Sequence, residues 1–236
     1  MGNNYFNFKQ FTVNQGRSAF KVGTDGVLLG ASADVKGKKR ILDVGTGTGL
    51  IALMLAQRCD AEIVAIEPDK ESFDQASENV LKSRWAERIR LINCSLQDYQ
   101  DSGDTSGLIV SNPPYFIDSL KNPDPARAKT RHSISLTHSD ILQGAGRLLR
   151  IDGILQLIMP YTEGTVFMAE AVSYDFFCSH ILKIRPTPTS GIRRLILTMI
   201  RERKKATEQF LTIETGKRHY FTEEYKNLTR DFYLMF

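Results

Sequence analysis

The chain has few cysteines and no pattern of metal-ligand spacing. Three cysteines occur among its 236 residues, at Cys59, Cys94 and Cys178, and no two of them form a C-x-x-C pair. The four histidines are not spaced as metal ligands either. The sequence therefore indicates neither a disulfide framework nor a zinc site. We expect the cysteines to be packing residues, and we expect no bound metal.

Long hydrophobic runs are also absent. No apolar run approaches the length of a membrane span, and residues 1–5 lack the charged and apolar regions of a secretory signal. The sequence therefore predicts a cytoplasmic protein without a membrane segment. Repeats and low-complexity tracts are absent too. A chain of 236 residues that is 42% hydrophobic can bury a sizeable core as one domain with a small appended piece.

The most informative residues present form an Asn-Pro-Pro-Tyr turn directly after an apolar, strand-like run at 108–110. Successive prolines donate no backbone hydrogen bonds, so the turn is stiff and presents only acceptors. An Asn carbonyl beside a fixed backbone carbonyl would accept both hydrogens of a planar NH2 group, and the Tyr would stack on the attached ring. Standing alone, the motif could equally be a surface turn. The predicted catalytic residues are Asn112, Pro113, Pro114 and Tyr115.

A second motif lies upstream, where a buried strand at 40–44 runs into a glycine turn and a helix at about 49–57. Alternate glycines let the backbone approach a ligand closely and leave helix N–H groups directed at it. The spacing is G-x-G-x-G, whereas the nicotinamide and flavin fingerprint is G-x-G-x-x-G. An adenosine-bearing ligand is indicated. The residues assigned to it here are Asp43, Gly45, Thr46, Gly47 and Gly49.

Two carboxylates favour a methyl donor over a dinucleotide. Asp43 would repel a pyrophosphate, but it suits a cationic ammonium group such as the methionine end of S-adenosylmethionine. Glu67 follows a second strand at 62–66, where doubly wound sheets place a carboxylate against the ribose hydroxyls. The alternative for Glu67 is a solvated turn carboxylate.

In this order, the glycine turn, the acidic second strand and the Asn-Pro-Pro-Tyr turn resemble the class I methyltransferases that modify planar amines. More closely, the chain resembles the bacterial tRNA adenine-N6 methyltransferases that act on adenine 37, next to the anticodon of a valine tRNA. The resemblance runs from end to end and also includes residues 8–11, 21–31, 85–89, 224–225 and 232–234. The N-terminal block and the aromatic C-terminus point to this family, whereas the single motifs define only the superfamily.

The resemblance implies a Rossmann-like α/β fold, with helices on both faces of a seven-stranded, mostly parallel sheet that contains an antiparallel strand. It implies methyl transfer from S-adenosylmethionine to the exocyclic N6 of adenine in tRNA, with S-adenosylhomocysteine as product. The partner would be the anticodon stem-loop, and we expect a monomer.

The chain departs from the family pattern at two positions. The family's acidic residue after the third strand is Ser95 here, and the Asp that usually opens the fourth strand is Gly107. Ser95 can still accept from the cofactor's adenine amine, but as a neutral group. Further residues assigned to the cofactor are Pro68, Ser95 and Leu96.

Strand and helix patterns alternate along the chain, which predicts a parallel sheet with right-handed crossovers. Besides the elements above, strands are predicted at 89–93, 107–111, 153–159, 180–185 and 193–200. Further helices are predicted at 70–83, 139–148 and 164–174.

Residues 1–35, with two short extended pieces, are predicted to pack over the cofactor site, and residues 36–236 to form the methyltransferase domain. Within the first segment, Thr24 and Asp25 would fold over the methionine end of the cofactor. Thr24 would also cap the helix-like run that follows.

Basic residues are concentrated near the predicted catalytic mouth, although the net charge is only +4. One cluster follows the Asn-Pro-Pro-Tyr turn, and another flanks a Pro-Thr-Pro-Thr-Ser-Gly segment. Since ligands bind outside the carboxyl ends of strands in open α/β sheets, we favour polyanion binding. Solvated loops are the alternative. The residues assigned to RNA are Lys121, Arg127, Lys129, Arg131, His132, Arg193 and Arg194.

Other functions stay open at this point. The same turn would serve methyltransferases that act on a glutamine side-chain amide of a release factor, on DNA adenine or on ribosomal RNA guanine, since each acceptor is a planar NH2 group. A non-catalytic cofactor-binding module in RNA assembly is an alternative from another class. An NAD-dependent oxidoreductase is the third.

Overall fold

The computed structural model describes residues 3–18, 21–101, 105–114 and 136–236. The strands, numbered in chain order over these residues, are β1 (Tyr5–Asn7), β2 (Thr12–Asn14), β3 (Arg40–Val44), β4 (Glu62–Ile66), β5 (Ile89–Ile92), β6 (Ser106–Ser111), β7 (Leu149–Pro160), β8 (Phe177–Arg185), β9 (Arg194–Ile200) and β10 (Thr207–Thr212). The helices are α1 (Thr24–Ser32), α2 (Leu50–Arg58), α3 (Lys70–Leu81), α4 (His138–Leu148), α5 (Tyr161–Ala171) and α6 (Glu223–Thr229).

The central sheet has eight strands in the order β10-β8-β9-β7-β6-β3-β4-β5. Strands β3 to β7 are parallel, β9 is antiparallel to both of its neighbours, and β10 is parallel to β8. The predicted mostly parallel sheet with an inserted antiparallel strand is confirmed. The predicted count of seven strands is one too few. The sequence does not predict the edge strand β10 because four of its six residues are exposed and no apolar run marks it.

Other predicted elements agree with the structure. Strands β3 and β4 have the predicted bounds, and the four predicted helices match α2, α3, α4 and α5 to within three residues at each end. Strand β7 begins four residues earlier than predicted, at Leu149. No helix among the described residues is long and apolar enough to cross a membrane.

Helices cover both faces of the sheet, and buried side chains alternate between the two faces along each strand. Ile41 and Ile63 belong to the core cluster that includes α1 and α2. Leu42 and Val64, the next residues of the same strands, belong to the cluster that includes α4 and α5. This alternation follows from the two-residue period of a β-strand. The sheet is therefore buried on both sides, and its ligands are limited to its edges and ends.

The N-terminal segment is anchored by aromatic packing. The ring of Phe8 lies 4.7 Å from that of Phe11 and 5.9 Å from that of Tyr233, measured between centroids. Trp85 meets Phe11 edge-on. Phe8 and Phe11 are buried in the same cluster as α1 and α2. The two ends of the chain therefore contribute to one core.

Beyond β2, the chain follows α3 toward the edge of the sheet where the parallel strands end. The backbone N–H of Arg17 donates to Gln75, and the Ser18 and Ser72 hydroxyls lie 3.3 Å apart. Asn79 fixes the start of this path. Its Oδ1 accepts from the Asn14 N–H at 2.9 Å, and its Nδ2 donates to the carbonyls of Asn14 and Thr48 at 2.8 Å each.

Replacing Asn79 should loosen the N-terminal segment. Asn79 is 1% exposed, and Asn79→Ala removes its three hydrogen bonds to the backbone of half-buried Asn14 and buried Thr48. We expect the free energy of unfolding to fall by about 3 kcal/mol, measured by urea denaturation. The control is Ser77→Ala on the same helix, whose hydroxyl donates to the Phe73 carbonyl one turn earlier. Equal stability of the two variants would contradict this role of Asn79.

Candidate active site at the carboxyl edge of the sheet

Most of the predicted site residues that the structure describes lie at the carboxyl edge, where the parallel strands β3 to β7 end. Val44 pairs with Ile66 of β4 and with Ser111 of β6, so the residues after these three strands are neighbours. Strand β9 is antiparallel and starts at this edge, with Arg194 opposite Pro160 at the end of β7. Gly107 lies at the other end of β6, about 16 Å from Asn112 at 3.3 Å per residue. This departure from the family pattern is therefore remote from the site.

The glycine turn, residues 45–49, requires glycine at three positions. Gly45, Gly47 and Gly49 have φ angles of 72°, 58° and 81°, in the left-handed region that other residues disfavour. A Cβ added at Gly45 or Gly47 would meet nothing within 4 Å, so open space lies beside the backbone there. Gly49 is the N-cap of α2.

The N–H groups of the turn residues themselves are bonded within the protein, whereas the expected direction of the helix N–H groups stays a prediction. The N–H groups of Gly45 and Thr46 both donate to the Ile66 carbonyl, at 3.0 and 3.1 Å, and that of Gly47 donates to Glu67. These groups close the turn onto the end of β4 and are not directed at a ligand. Close approach of the backbone is what the glycines provide.

Asp43 lies beneath the glycine turn and is fully buried. Its Oδ2 accepts from the Thr46 hydroxyl at 2.6 Å and from the Ala52 N–H at 3.1 Å, whereas Oδ1 has no hydrogen-bond partner among the described residues. Burial raises the pKa of Asp43 to about 7, and the hydrogen bonds from Thr46 and Ala52 oppose that rise. The carboxylate thus shapes the turn. Its role toward an ammonium group stays a prediction.

Glu67 is 7% exposed at the end of β4. Its Oε2 accepts from the Gly47 N–H at 2.8 Å, and Oε1 accepts from the Asp69 N–H at 3.0 Å. Burial raises the pKa of Glu67 despite these two bonds. The carboxylate therefore bridges the ends of β3 and β4, and it is not the solvated turn carboxylate of the alternative interpretation.

The Asn-Pro-Pro-Tyr turn begins directly beside the glycine turn. The Ser111 hydroxyl donates to the Val44 carbonyl at 2.9 Å, which joins the two strand ends. Asn112 is half-buried, Pro113 buried and Pro114 exposed. The other residues predicted on this side of the site lie outside the described residues: Tyr115, Lys121, Arg127, Lys129, Arg131 and His132.

The structure pairs two residues that the sequence assigned to different ligands. Asp25, assigned to the cofactor, accepts from Nε of Arg194, assigned to RNA, at 2.7 Å. The ion pair joins the first turn of α1 to the start of β9. Arg193 is exposed beside it.

The predicted capping role of Thr24 is wrong. The N-cap of α1 is Gly23, no side chain caps this helix, and Thr24 is its first residue. Gly23 takes the extended backbone conformation of an N-cap, so Thr24 is one position too late to receive the capping bond. Thr24 is exposed, and its assignment to the cofactor stays a prediction.

The three further residues assigned to the cofactor differ in their surroundings. Leu96 is buried, and its side chain would lie 2.7 Å from a Cβ added at Gly144 of α4, so it belongs to the core. Pro68 is exposed, and Ser95 is half-buried with its hydroxyl donating to Asp98. Among the described residues, no group of three or more His, Cys, Asp or Glu is arranged to hold a metal ion.

Sequence reasoning missed three polar residues at the carboxyl edge. Nδ2 of Asn93 donates to the carbonyls of Glu67 and Pro68, at 2.7 and 3.1 Å. The other two are Ser111 and Asp98. Asn93 and Ser111 are the last residues of predicted strands, and this position could have indicated that they lie at the site. Nothing in the sequence pattern marked Asp98.

Comparisons with known proteins agree with this geometry. A family profile described as "Methyltransferase domain" matches residues 41–136. Among solved structures, a predicted O-methyltransferase from Agrobacterium tumefaciens aligns with a TM-score of 0.64 and 21% identity, over 88% of this chain and 96% of that one. The ribosomal protein L11 methylase of Lactobacillus delbrueckii aligns with a TM-score of 0.57 and 22% identity, over 81% and 84% of the two chains. The fold and the site thus define a class I methyltransferase.

Proteins with similar sequences identify the family within this class. A protein of Bacteroides thetaiotaomicron named tRNA1(Val) (adenine(37)-N6)-methyltransferase is 44% identical over 236 residues, which cover 99% of each chain. A protein of Trichodesmium erythraeum with the same name is 44% identical over 240 residues, covering both chains completely. The chain belongs to the tRNA1(Val) (adenine(37)-N6)-methyltransferase family, as its sequence motifs predict.

The carboxyl edge fits S-adenosylmethionine, the predicted methyl donor. The open space beside Gly45 and Gly47 is a cradle that any Cβ would begin to fill. Asp43 and Glu67 are two buried carboxylates with raised pKa values beside this space, and a ligand with positive charge would compensate their burial. Glu67 would hold the ribose hydroxyls, and the glycines would admit the ligand.

The raised pKa of Asp43 should make stability fall as the pH rises. The folded state holds the proton of Asp43 more tightly than the unfolded state does. The resulting contribution to the free energy of unfolding is complete below the ordinary pKa of 3.8 and is lost as the pH rises through about 7. Asp43→Asn mimics the neutral form. Relative to this variant, the wild-type protein without cofactor should lose about 2 kcal/mol of unfolding free energy between pH 5 and pH 7.

Urea denaturation at pH 5, 6, 7 and 8 measures this difference. The control is Asp152→Asn, an exposed residue whose pKa is lowered by Arg150 and which should show no trend over this pH range. Parallel pH profiles of wild type and Asp43→Asn would show that Asp43 is ionised throughout.

Proposed function

We propose that this protein transfers a methyl group from S-adenosylmethionine to the exocyclic N6 of adenine 37, next to the anticodon of a valine tRNA. One observation carries the proposal. The Asn-Pro-Pro-Tyr turn, whose two prolines offer carbonyl acceptors and no N–H donors, follows the strand directly beside the glycine turn, and Ser111 and Val44 join the two at 2.9 Å. A planar amine held by the Asn-Pro-Pro-Tyr turn would therefore lie next to a methyl donor held by the glycine turn. The names of the relatives support the choice of tRNA.

The residues of the acceptor turn act on the amine. Adenine's exocyclic nitrogen is a poor nucleophile because its lone pair is delocalised into the ring. The Asn112 side chain and the Pro113 carbonyl would accept its two hydrogens, which raises the electron density on nitrogen and orients the lone pair. Positioning and charge stabilisation would supply most of the acceleration.

The methyl donor sets the remaining requirements. The chemistry that S-adenosylmethionine supplies when bound is an electrophilic methyl group on a positively charged sulfur. Asp43 and Glu67 are the buried carboxyl groups on that side of the site, and a bound cation would favour their ionised forms. No strong general base is needed, because the amine becomes acidic once it carries the methyl group and can then release its proton to water.

The RNA must present a single base to this edge. Adenine 37 would be swung out of the anticodon loop, and Tyr115 would stack on it. Arg193 and the basic residues after the Asn-Pro-Pro-Tyr turn would contact phosphates of the anticodon stem-loop. We further propose that the enzyme acts as a monomer in the cytoplasm, with residues 1–35 covering the cofactor side.

The direct test is methylation of total RNA from cells that lack this protein, with purified enzyme and tritiated S-adenosylmethionine, followed by nucleoside analysis. Label in N6-methyladenosine of the valine tRNA is the expected result. No label in RNA, while the cofactor binds, would favour a protein-glutamine acceptor or a non-catalytic module. No cofactor binding would overturn the methyltransferase proposal.

Asn112→Ala should separate catalysis from cofactor binding. Loss of the side-chain acceptor removes stabilisation of the reacting amine, so we expect kcat/KM to fall at least about 100-fold. The Kd for S-adenosylhomocysteine, measured by calorimetry, should change less than about twofold. The control is Asn227→Ala, an exposed position on α6. Equal losses of activity and cofactor affinity would assign Asn112 a structural role.

Arg193 and Arg194 should behave differently toward RNA. Arg193→Ala removes an exposed cation at the carboxyl edge, so tRNA affinity should fall and the slope of log affinity against log salt should decrease by about one. Arg194→Ala should instead lower the melting temperature, because it breaks the ion pair with Asp25. The control is Arg150→Ala, at the opposite end of β7. An unchanged salt slope in Arg193→Ala would remove Arg193 from the RNA interface.

A further inference from the structure

Ser95 and Asp98 form a closed hydrogen-bonded pair just beyond β5. The Ser95 hydroxyl donates to Oδ2 of Asp98 at 2.6 Å, and the Asp98 N–H donates back to the Ser95 oxygen at 3.1 Å. Asp98 is exposed and Ser95 is half-buried. The pair therefore places a carboxylate directly behind the Ser95 hydroxyl, which stands where the family resemblance has an acidic residue.

The pair lies on the cofactor side of the carboxyl edge. Strand β5 is the neighbour of β4, and the Glu67 N–H donates to the Ile92 carbonyl at 3.1 Å. Asn93, between the strand and Ser95, donates to the Glu67 carbonyl at 2.7 Å. Ser95 is thus two residues beyond a direct contact with the backbone of the expected ribose ligand.

The hydrogen-bond pattern fixes what the Ser95 hydroxyl can do. A free hydroxyl rotates and serves as donor or acceptor. Here the Ser95 hydroxyl donates its proton to Asp98, and one of its two lone pairs accepts a hydrogen bond from the Asp98 N–H. One lone pair is left, and it is polarised by the carboxylate behind it. The hydroxyl can therefore only accept, as a carboxylate would.

We propose that Asp98, acting through Ser95, makes this position an acceptor-only site that selects the 6-amino group of the cofactor's adenine against a 6-oxo purine. Asp98 is a positioning residue, and Ser95 is the group that contacts the base. The inference rests on the proposed function, because it concerns the same methyl donor. An amino group donates to such a site, whereas the O6 of hypoxanthine would face an oxygen lone pair.

The test compares two ligands that differ only at this group. Calorimetry would measure the Kd of S-adenosylhomocysteine and of its deaminated analogue, S-inosylhomocysteine, for wild type, Asp98→Ala and the double variant Ser95→Asp/Asp98→Ala. In Asp98→Ala the hydroxyl is free to donate to O6, so we expect the preference for the adenosyl ligand to fall about tenfold. The double variant places a carboxylate at position 95 itself and should restore the preference.

The controls separate selection from stability of the turn. Ser95→Ala should lose both adenosyl affinity and preference, and Asp152→Asn, exposed at the opposite end of the sheet, should change neither. An unchanged preference in Asp98→Ala would overturn the inference but leave the methyltransferase proposal intact. If the preference for the adenosyl ligand stays low in the double variant, the loss in Asp98→Ala comes from disturbing the turn at residues 95–98. That result would also overturn the inference. Failure of wild type to bind S-adenosylhomocysteine would overturn both.

Discussion

The buried carboxylate of Asp43 is the interaction on which the rest of the site depends. It accepts from Thr46 in the glycine turn and from Ala52 in α2, and so fixes the path between β3 and the helix that follows. Burying this group raises its pKa to about 7, which is unfavourable for the folded protein at neutral pH. A bound ligand with positive charge would offset this. The same residue therefore shapes the turn, and its proposed second role is to favour a cation beside it.

The fold was largely predictable because buried parallel strands have a strong signature. Runs such as those of β3 and β4 are apolar, are bounded by polar or glycine residues and alternate with helical patterns. The edge strand β10 and the seven-residue α6 lack this signature, because one is mostly exposed and the other is too short for a periodic pattern. Their positions are set by tertiary packing.

The positions of candidate site residues were predictable where these residues directly follow the end of a strand. Glu67 and the glycine turn follow such ends, and the structure brings them together through the bond from Gly47. The ion pair between Asp25 and Arg194 joins residues 169 positions apart, and no local pattern encodes it. The cap at Gly23 was missed for a different reason. Thr, unlike Gly, has a side chain that can accept the capping bond, but the backbone turns into the helix one residue earlier.

The two turns at the centre of the site divide the chemistry between them. The N–H groups of the glycine turn donate to Ile66 and Glu67, and open space lies beside the turn, with the buried carboxyl groups of Asp43 and Glu67 next to it. The Asn-Pro-Pro-Tyr turn has few hydrogen-bond donors and presents carbonyl oxygens as acceptors. A cationic donor is therefore favoured beside β3 and a planar amine beside β6. Because Val44 and Ser111 are adjacent in the sheet, the two turns lie side by side, and the proposed donor and acceptor would meet between them.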